Sequence, residues 1–89
     1  MGIEYDPDKS QTNIVNRGLS FDLVAQFDFE SALTRIDDRK EYPEVRYQSL
    51  GYIGERLHVV VYAIVSTGIR VISLRKANTR EVDRYEQET

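Results

Sequence analysis

The ten-residue run "RLHVVVYAIV" (Arg56–Val65) limits this chain more than any other stretch. It is β-branched and nearly continuous in apolar character, the pattern of a central strand covered on both faces. Gly54–Glu55 precedes it and "STG" (residues 66–68) follows it, both with the composition of short hairpin loops. The strand therefore has hairpin partners in "VRYQSLGYI" before it and "IRVISLR" after it. With tight loops, Arg46 lies near Ala63 and Arg70 lies opposite Ile64, although a slip of one residue would reverse the faces.

Helix signals flank this sheet. In "DPDKSQTNIVNRG", Asp6 is placed to cap the N-terminus, Pro7 to take the first helical position and Gly18 to take the left-handed position after the end. In "GLSFDLVAQFDFESAL", Ser20 is a second N-cap, and Phe21, Val24 and Ala25 form an apolar stripe widened by Leu23 and Phe27. "GIEY" reads as a short edge strand and "ALTRI" as another short strand. Asn78 and Glu81 have capping-box spacing before a helix in "TREVDRYEQE". This order predicts an α+β fold in a single domain over 1–89: two N-terminal helices packed on an antiparallel meander sheet, with a C-terminal helix.

Composition narrows the function. The 89 residues include no cysteine, so disulfides, thiolate metal sites and cysteine nucleophiles are excluded. The one histidine, His58, alternates with Val60 and Tyr62 and reads as a structural residue; zinc has no ligand set here. Asp37, Asp38, Glu41 and Glu44 form a charged loop rather than a cation site. No metal and no cofactor are expected. The start of the chain has no secretory pattern, and its longest apolar stretch falls short of the ~20 residues that span a bilayer, so a cytoplasmic protein without membrane contact is expected.

Net charge is −3, but it is divided unevenly. Residues 1–45 carry −5 and residues 46–89 carry +2. The second half also holds "ISLRKANTRE", where Arg75, Lys76 and Arg80 gather at a strand-to-helix junction, and Arg84 follows Arg80 by one turn. Guanidinium groups that converge can clamp a phosphodiester and stabilise the charge built up during its cleavage. The same residues could instead form a solvated face paired with Glu81, Asp83 and Glu86. Spacing alone does not choose between these. The expectation is that the cations share one face in three dimensions, with acidic residues 4–8 and 37–44 away from it.

Three collinear segments resemble the BrnT-type toxins. "YDPDKSQTNIVNRGLSF" resembles their aromatic–Asp–x–x–Lys opening, "EVRYQSLGYIGERLHVVVY" their Glu-x-Arg-aromatic strand and Val-rich hairpin, and "IRVISLRKANTREVDRYE" their closing Ser-x-Arg-x-Ala segment and Arg-Glu helix. The resemblance implies a RelE-like fold and a ribonuclease that inhibits translation. It also implies a cognate antitoxin, of ribbon–helix–helix type, through which the complex binds operator DNA. Carried onto this chain, it points to Arg46, Arg75 and Arg80 as catalytic, with Glu81 and Tyr85 as participants, and to Arg17, Arg56, Arg70 and Lys76 as RNA-binding. One departure stands out: Asn16–Arg17 occupies the place of a Lys-His pair, and arginine is a poor general base. The rival reading is a non-catalytic module that keeps the toxin fold and only binds antitoxin or operator.

Overall fold

The computed structural model describes residues 2–89. In chain order it contains β1 (Gly2–Glu4), α1 (Pro7–Arg17), a 3-10 helix (Phe21–Gln26), β2 (Leu33–Ile36), β3 (Tyr47–Ile53), β4 (Arg56–Val65), β5 (Gly68–Lys76) and α2 (Thr79–Glu88). The strands form one sheet in the order β1-β5-β4-β3-β2. β2 through β5 make the expected antiparallel meander, with β4 at the centre. The meander is not the whole sheet, because β1 joins the free edge of β5 in parallel and makes the sheet mixed.

That correction has a local cause. After β1 the chain enters α1 and crosses the sheet, so β1 reaches β5 as a non-sequential neighbour and not through a hairpin. Gly68 makes the contact feasible. Its φ is 147°, and a Cβ there would lie 2.0 Å from the carbonyl oxygen of its partner Gly2. Only glycine tolerates both the backbone angle and the approach.

The N-terminal signals of α1 act as the sequence predicts. Asp6 accepts from the Asp8 N–H at 2.9 Å, Pro7 opens the helix, and Gly18 closes it at φ 72° while donating to Ile14 O at 2.8 Å. Ser20 caps the next segment, but that segment is a six-residue 3-10 helix and not a second α-helix. Its apolar residues explain the difference. Phe21, Val24 and Phe27 recur every third residue, which aligns them on one side of a helix with three residues per turn. All three are buried, whereas Ala25, expected in the stripe, is exposed.

The two faces of the sheet carry separate cores. On the first face the 3-10 helix packs Phe21, Val24 and Phe27 against Val60, Tyr62, Ile69, Val71 and Leu74. On the second, Tyr85 of α2 and Ala77, just after β5, pack against Leu50, Leu57 and Val59. Burying one such large apolar side chain contributes about 1.5–3 kcal/mol, so both covers are needed to hold β4 between them. α2 covers only part of its face, and the uncovered part carries the charged residues.

Candidate functional site

Arg70 and Arg75 are five positions apart on β5, a spacing that places side chains on opposite faces of a regular strand. Here they share a face. The ladder runs from His58 opposite Lys76 to Val61 opposite Ser73, then resumes with Tyr62 opposite Val71, which leaves Ile72 as an extra residue. This bulge reverses the alternation, as bulges do when they re-aim a side chain. Val71 and Leu74, three apart, accordingly both lie in the first core. Arg75 stands opposite Val59 and Arg70 opposite Ala63, both on the side of α2. The expected pairing of Arg70 with Ile64 is corrected by one residue, because Gly68 already pairs with Val65 and the loop is two residues long, not three.

Arg46 joins them from the β2–β3 side. Its carbonyl accepts from the Asp37 N–H at 2.8 Å, one step beyond the Ile36–Tyr47 pair, which carries the alternation on to Arg46. Glu44 ties the two arginines together, with Oε1 at 2.7 Å from Arg70 Nη2 and 3.8 Å from Arg46 Nε. The Arg46 guanidinium also sits 4.0 Å from the centre of the Tyr42 ring, a cation–π contact. Its Nε is buried and has no hydrogen-bond partner among the described residues. An unsatisfied buried donor is costly.

The acidic loop does not keep away from this face, which corrects the sequence expectation. Glu44 lies between two of its arginines, and Asp37 holds Arg39 through bonds of 2.7 and 2.8 Å. The Arg39 guanidinium keeps the buried Asp37 carboxyl below its ordinary range. The field of Arg39 is also felt at Arg75, so loop and sheet arginines are electrostatic neighbours. Arg39 was not singled out in the sequence, and Glu44 was read there only as part of a charged loop, because their pairings depend on how the 37–46 loop folds back.

At the other end of β5, Glu81 grips Arg75 with two parallel hydrogen bonds, Nη1 to Oε1 at 2.7 Å and Nη2 to Oε2 at 2.8 Å. The same carboxylate accepts from the Asn78 N–H at 3.0 Å while Asn78 accepts from the Glu81 N–H, completing the capping box. Arg75 and the cap together pull the Glu81 pKa down to about 2. A carboxylate that weakly basic is poorly matched to proton abstraction near neutrality, and its geometry is that of a group positioning Arg75.

The other candidates are spread more widely. Lys76 is opposite His58, on the far face from Arg75, because successive strand residues alternate. Arg80 is exposed on α2 and makes no ion pair among the described residues. Arg56 donates to Ala77 O at 3.2 Å, at the β3–β4 turn. Arg17 lines a cleft between α1 and the outer edge of β5 with Asn16 and Ile72. Tyr85 is buried, donating to Ser31 O at 3.1 Å and meeting Tyr52 edge-on at 5.5 Å. His58 is buried with Nδ1 2.8 Å from Arg56 O, and burial lowers its pKa. Of the three cations at the strand-to-helix junction, Lys76 thus points away from Arg75, and the sheet face carries Arg46, Arg70 and Arg75.

Among the described residues no three His, Asp or Glu side chains are grouped to hold a metal ion, and no helix is long and apolar enough to cross a membrane. No curated protein sequence matches the chain. Residues 5–81 match the family model described as "Ribonuclease toxin, BrnT, of type II toxin-antitoxin system".

Proposed function

Because this chain belongs to the BrnT family of ribonuclease toxins of type II toxin–antitoxin systems, we propose that it is a cytoplasmic, metal-independent endoribonuclease that inhibits translation. The carrying observation is that three arginines from two segments, Arg46 just before β3 and Arg70 and Arg75 on β5, project from one face of the sheet. The RNA supplies the nucleophile. Its 2′-hydroxyl attacks the neighbouring phosphorus, the O2′–P bond forms as the P–O5′ bond breaks, and a 2′,3′-cyclic phosphate and a 5′-hydroxyl result. The 2′ proton leaves with attack, and the departing oxygen takes one up.

The arginines stabilise this step by charge. Arg75, oriented by Glu81, meets the non-bridging phosphate oxygens, where one well-placed donor contributes about 3 kcal/mol to barrier lowering. Arg46 supports the leaving oxygen through the charge of its guanidinium. Arg70 contacts the adjoining backbone. Arg80, exposed at the start of α2, contributes long-range attraction.

A type II toxin is held by a protein antitoxin. In this reading an acidic segment of a ribbon–helix–helix antitoxin covers the arginine face and carries the complex to operator DNA, and its association slows as salt rises. The enzymatic reading is tested with antitoxin-free protein, RNA and excess EDTA. Cleavage leaving cyclic phosphate ends, lost in Arg46→Ala with Arg75→Ala while the thermal transition persists, is expected. Intact RNA alongside normal antitoxin binding would instead identify a non-catalytic binding module.

A further inference from the structure

Arg35, on edge strand β2, differs from the other arginines of this face. Arg39, Arg46, Arg70 and Arg75 each stand within 4 Å of a carboxylate, whereas Arg35 has no such partner among the described residues. It is held by a neutral group: Arg35 Nε donates to Gln48 Oε1 at 3.0 Å, and Gln48 is only 6% exposed. A buried amide thus fixes the root of an exposed guanidinium, while its two terminal nitrogens bond to no described residue. A guanidinium already bound bidentately must give up its carboxylate to receive phosphate; Arg35 has nothing to give up.

Its surroundings leave room for a ligand on both sides. One cleft of about 140 Å³ lies between Arg35 and Arg84 of α2, and another of about 190 Å³ lies between Arg35 and Arg39. Two of the acids rimming these clefts are paired, Asp37 with Arg39 and Glu88, more loosely at 3.7 Å, with Arg84. Asp38 is exposed and forms no ion pair.

We propose that Arg35, oriented by Gln48 and flanked by Arg84 and Arg39, binds an RNA backbone phosphate away from the cleaved one, extending the arginine face across the sheet to its β2 edge. This rests on the ribonuclease reading above and adds the direction in which the substrate strand runs. Arg35 is a binding residue here; the reacting phosphate is left to the arginines already assigned.

The test uses antitoxin-free protein and 2′-O-methylated single-stranded RNA, which cannot be cleaved, as a trinucleotide and a dodecanucleotide. Arg35→Ala is expected to weaken the dodecanucleotide about tenfold, the loss of one charge-assisted contact. The slope of log affinity against log salt should fall by about 0.7, one phosphate's share for a single strand. Trinucleotide affinity should change less than twofold. Arg35→Lys should keep the salt slope while losing part of the affinity, because charge remains and the fork does not. Dodecanucleotide binding by Arg35→Ala within twofold of wild type, with RNA cleavage intact, would overturn the subsite and leave the nuclease standing. Weakened antitoxin binding with unchanged RNA binding would also overturn it and give this edge to the antitoxin. Failure of the unaltered protein to bind either RNA would remove both readings.

Discussion

Arg75 and Glu81 meet fork to fork, through bonds of 2.7 and 2.8 Å, so the guanidinium best placed for a phosphate already holds a carboxylate. The pair joins the end of β5 to the first turn of α2 and orients Arg75 across the open part of the sheet. It also competes with substrate for the same donors. Glu81→Gln separates these roles, since the amide oxygen can still accept from the Asn78 N–H while the negative charge is lost. The expected outcome is a stability loss of about 1 kcal/mol, or about 4–8 °C in Tm for a domain of this size. RNA affinity should rise at the same time. Calorimetry and fluorescence polarisation on one preparation check both signs, and a lower Tm with weaker RNA binding would show that orientation outweighs competition.

Acid should weaken the fold through the same carboxylates. Glu81 is held at about 2 in the folded chain against an ordinary 4.5, and Asp37 is also held below its usual value. Unfolded chains therefore bind these protons first, and stability falls as pH drops. The contribution is fully present above about pH 4.5 and is lost progressively as pH falls toward about 2. For Glu81 it amounts to about 1–2 kcal/mol once solvent screening is allowed for. Urea unfolding between pH 5.5 and pH 2.5, in steps of about half a unit, should show this decline, and Glu81→Gln should flatten it.

Much of the fold was legible because local signals agreed with one another. Asp6, Pro7 and Gly18 bound α1, the capping box starts α2, and the β-branched run of β4 lies at the centre of the sheet. What escaped the sequence depended on contacts distant along the chain. β1 pairs in parallel because Gly68 admits Gly2, and neither glycine announces the other. The short helix at Phe21 adopts three residues per turn because three apolar side chains fit one pocket, whereas the same segment also reads as an ordinary α-helix. The site suffered most from the bulge at Ile72. Without it, simple alternation separates Arg70 from Arg75, and no residue at 72 or 73 signals the extra position. Arg75 and Lys76 look like partners in sequence, yet alternation sends them to opposite faces.

Gly51 is occupied by its neighbours. A Cβ there would lie 2.8 Å from Phe27 Cζ, 3.0 Å from Ala32 Cβ and 3.1 Å from Asp28 O. The glycine in the β3 segment thus serves packing, letting the end of the 3-10 segment lie against the sheet where Phe27 bridges Ile53. Gly51→Ala should cost about 1–3 kcal/mol, the range for overpacking a filled core. Combining it with Phe27→Leu should destabilise less than the sum of the two single changes, because the smaller side chain yields the space. Additive unfolding free energies in that double-mutant cycle would contradict the packing account.

Asn13 stitches α1 to the sheet where β1 has ended. Its side-chain amide donates to Leu19 O at 2.8 Å and to Leu74 O at 3.0 Å, so one residue satisfies the chain leaving the helix and the outer edge of β5. β1 pairs only with Gly68 to Arg70, and Leu74 lies beyond its reach. Asn13→Ala removes both donors and leaves two carbonyls to find water in a partly buried place, an expected loss of about 1–3 kcal/mol. Asn13→Asp should be worse near neutral pH, since a carboxylate presents no donor and faces two carbonyl oxygens. Protonating that carboxyl restores one donor, and the two carbonyls raise its folded-state pKa above the ordinary value, so the deficit of Asn13→Asp should shrink as pH falls toward about 4 and level off below it. Hydrogen exchange offers a local check: amides of α1 and of β5 near Leu74 should lose protection in Asn13→Ala, while those of the β3–β4 pairing keep theirs.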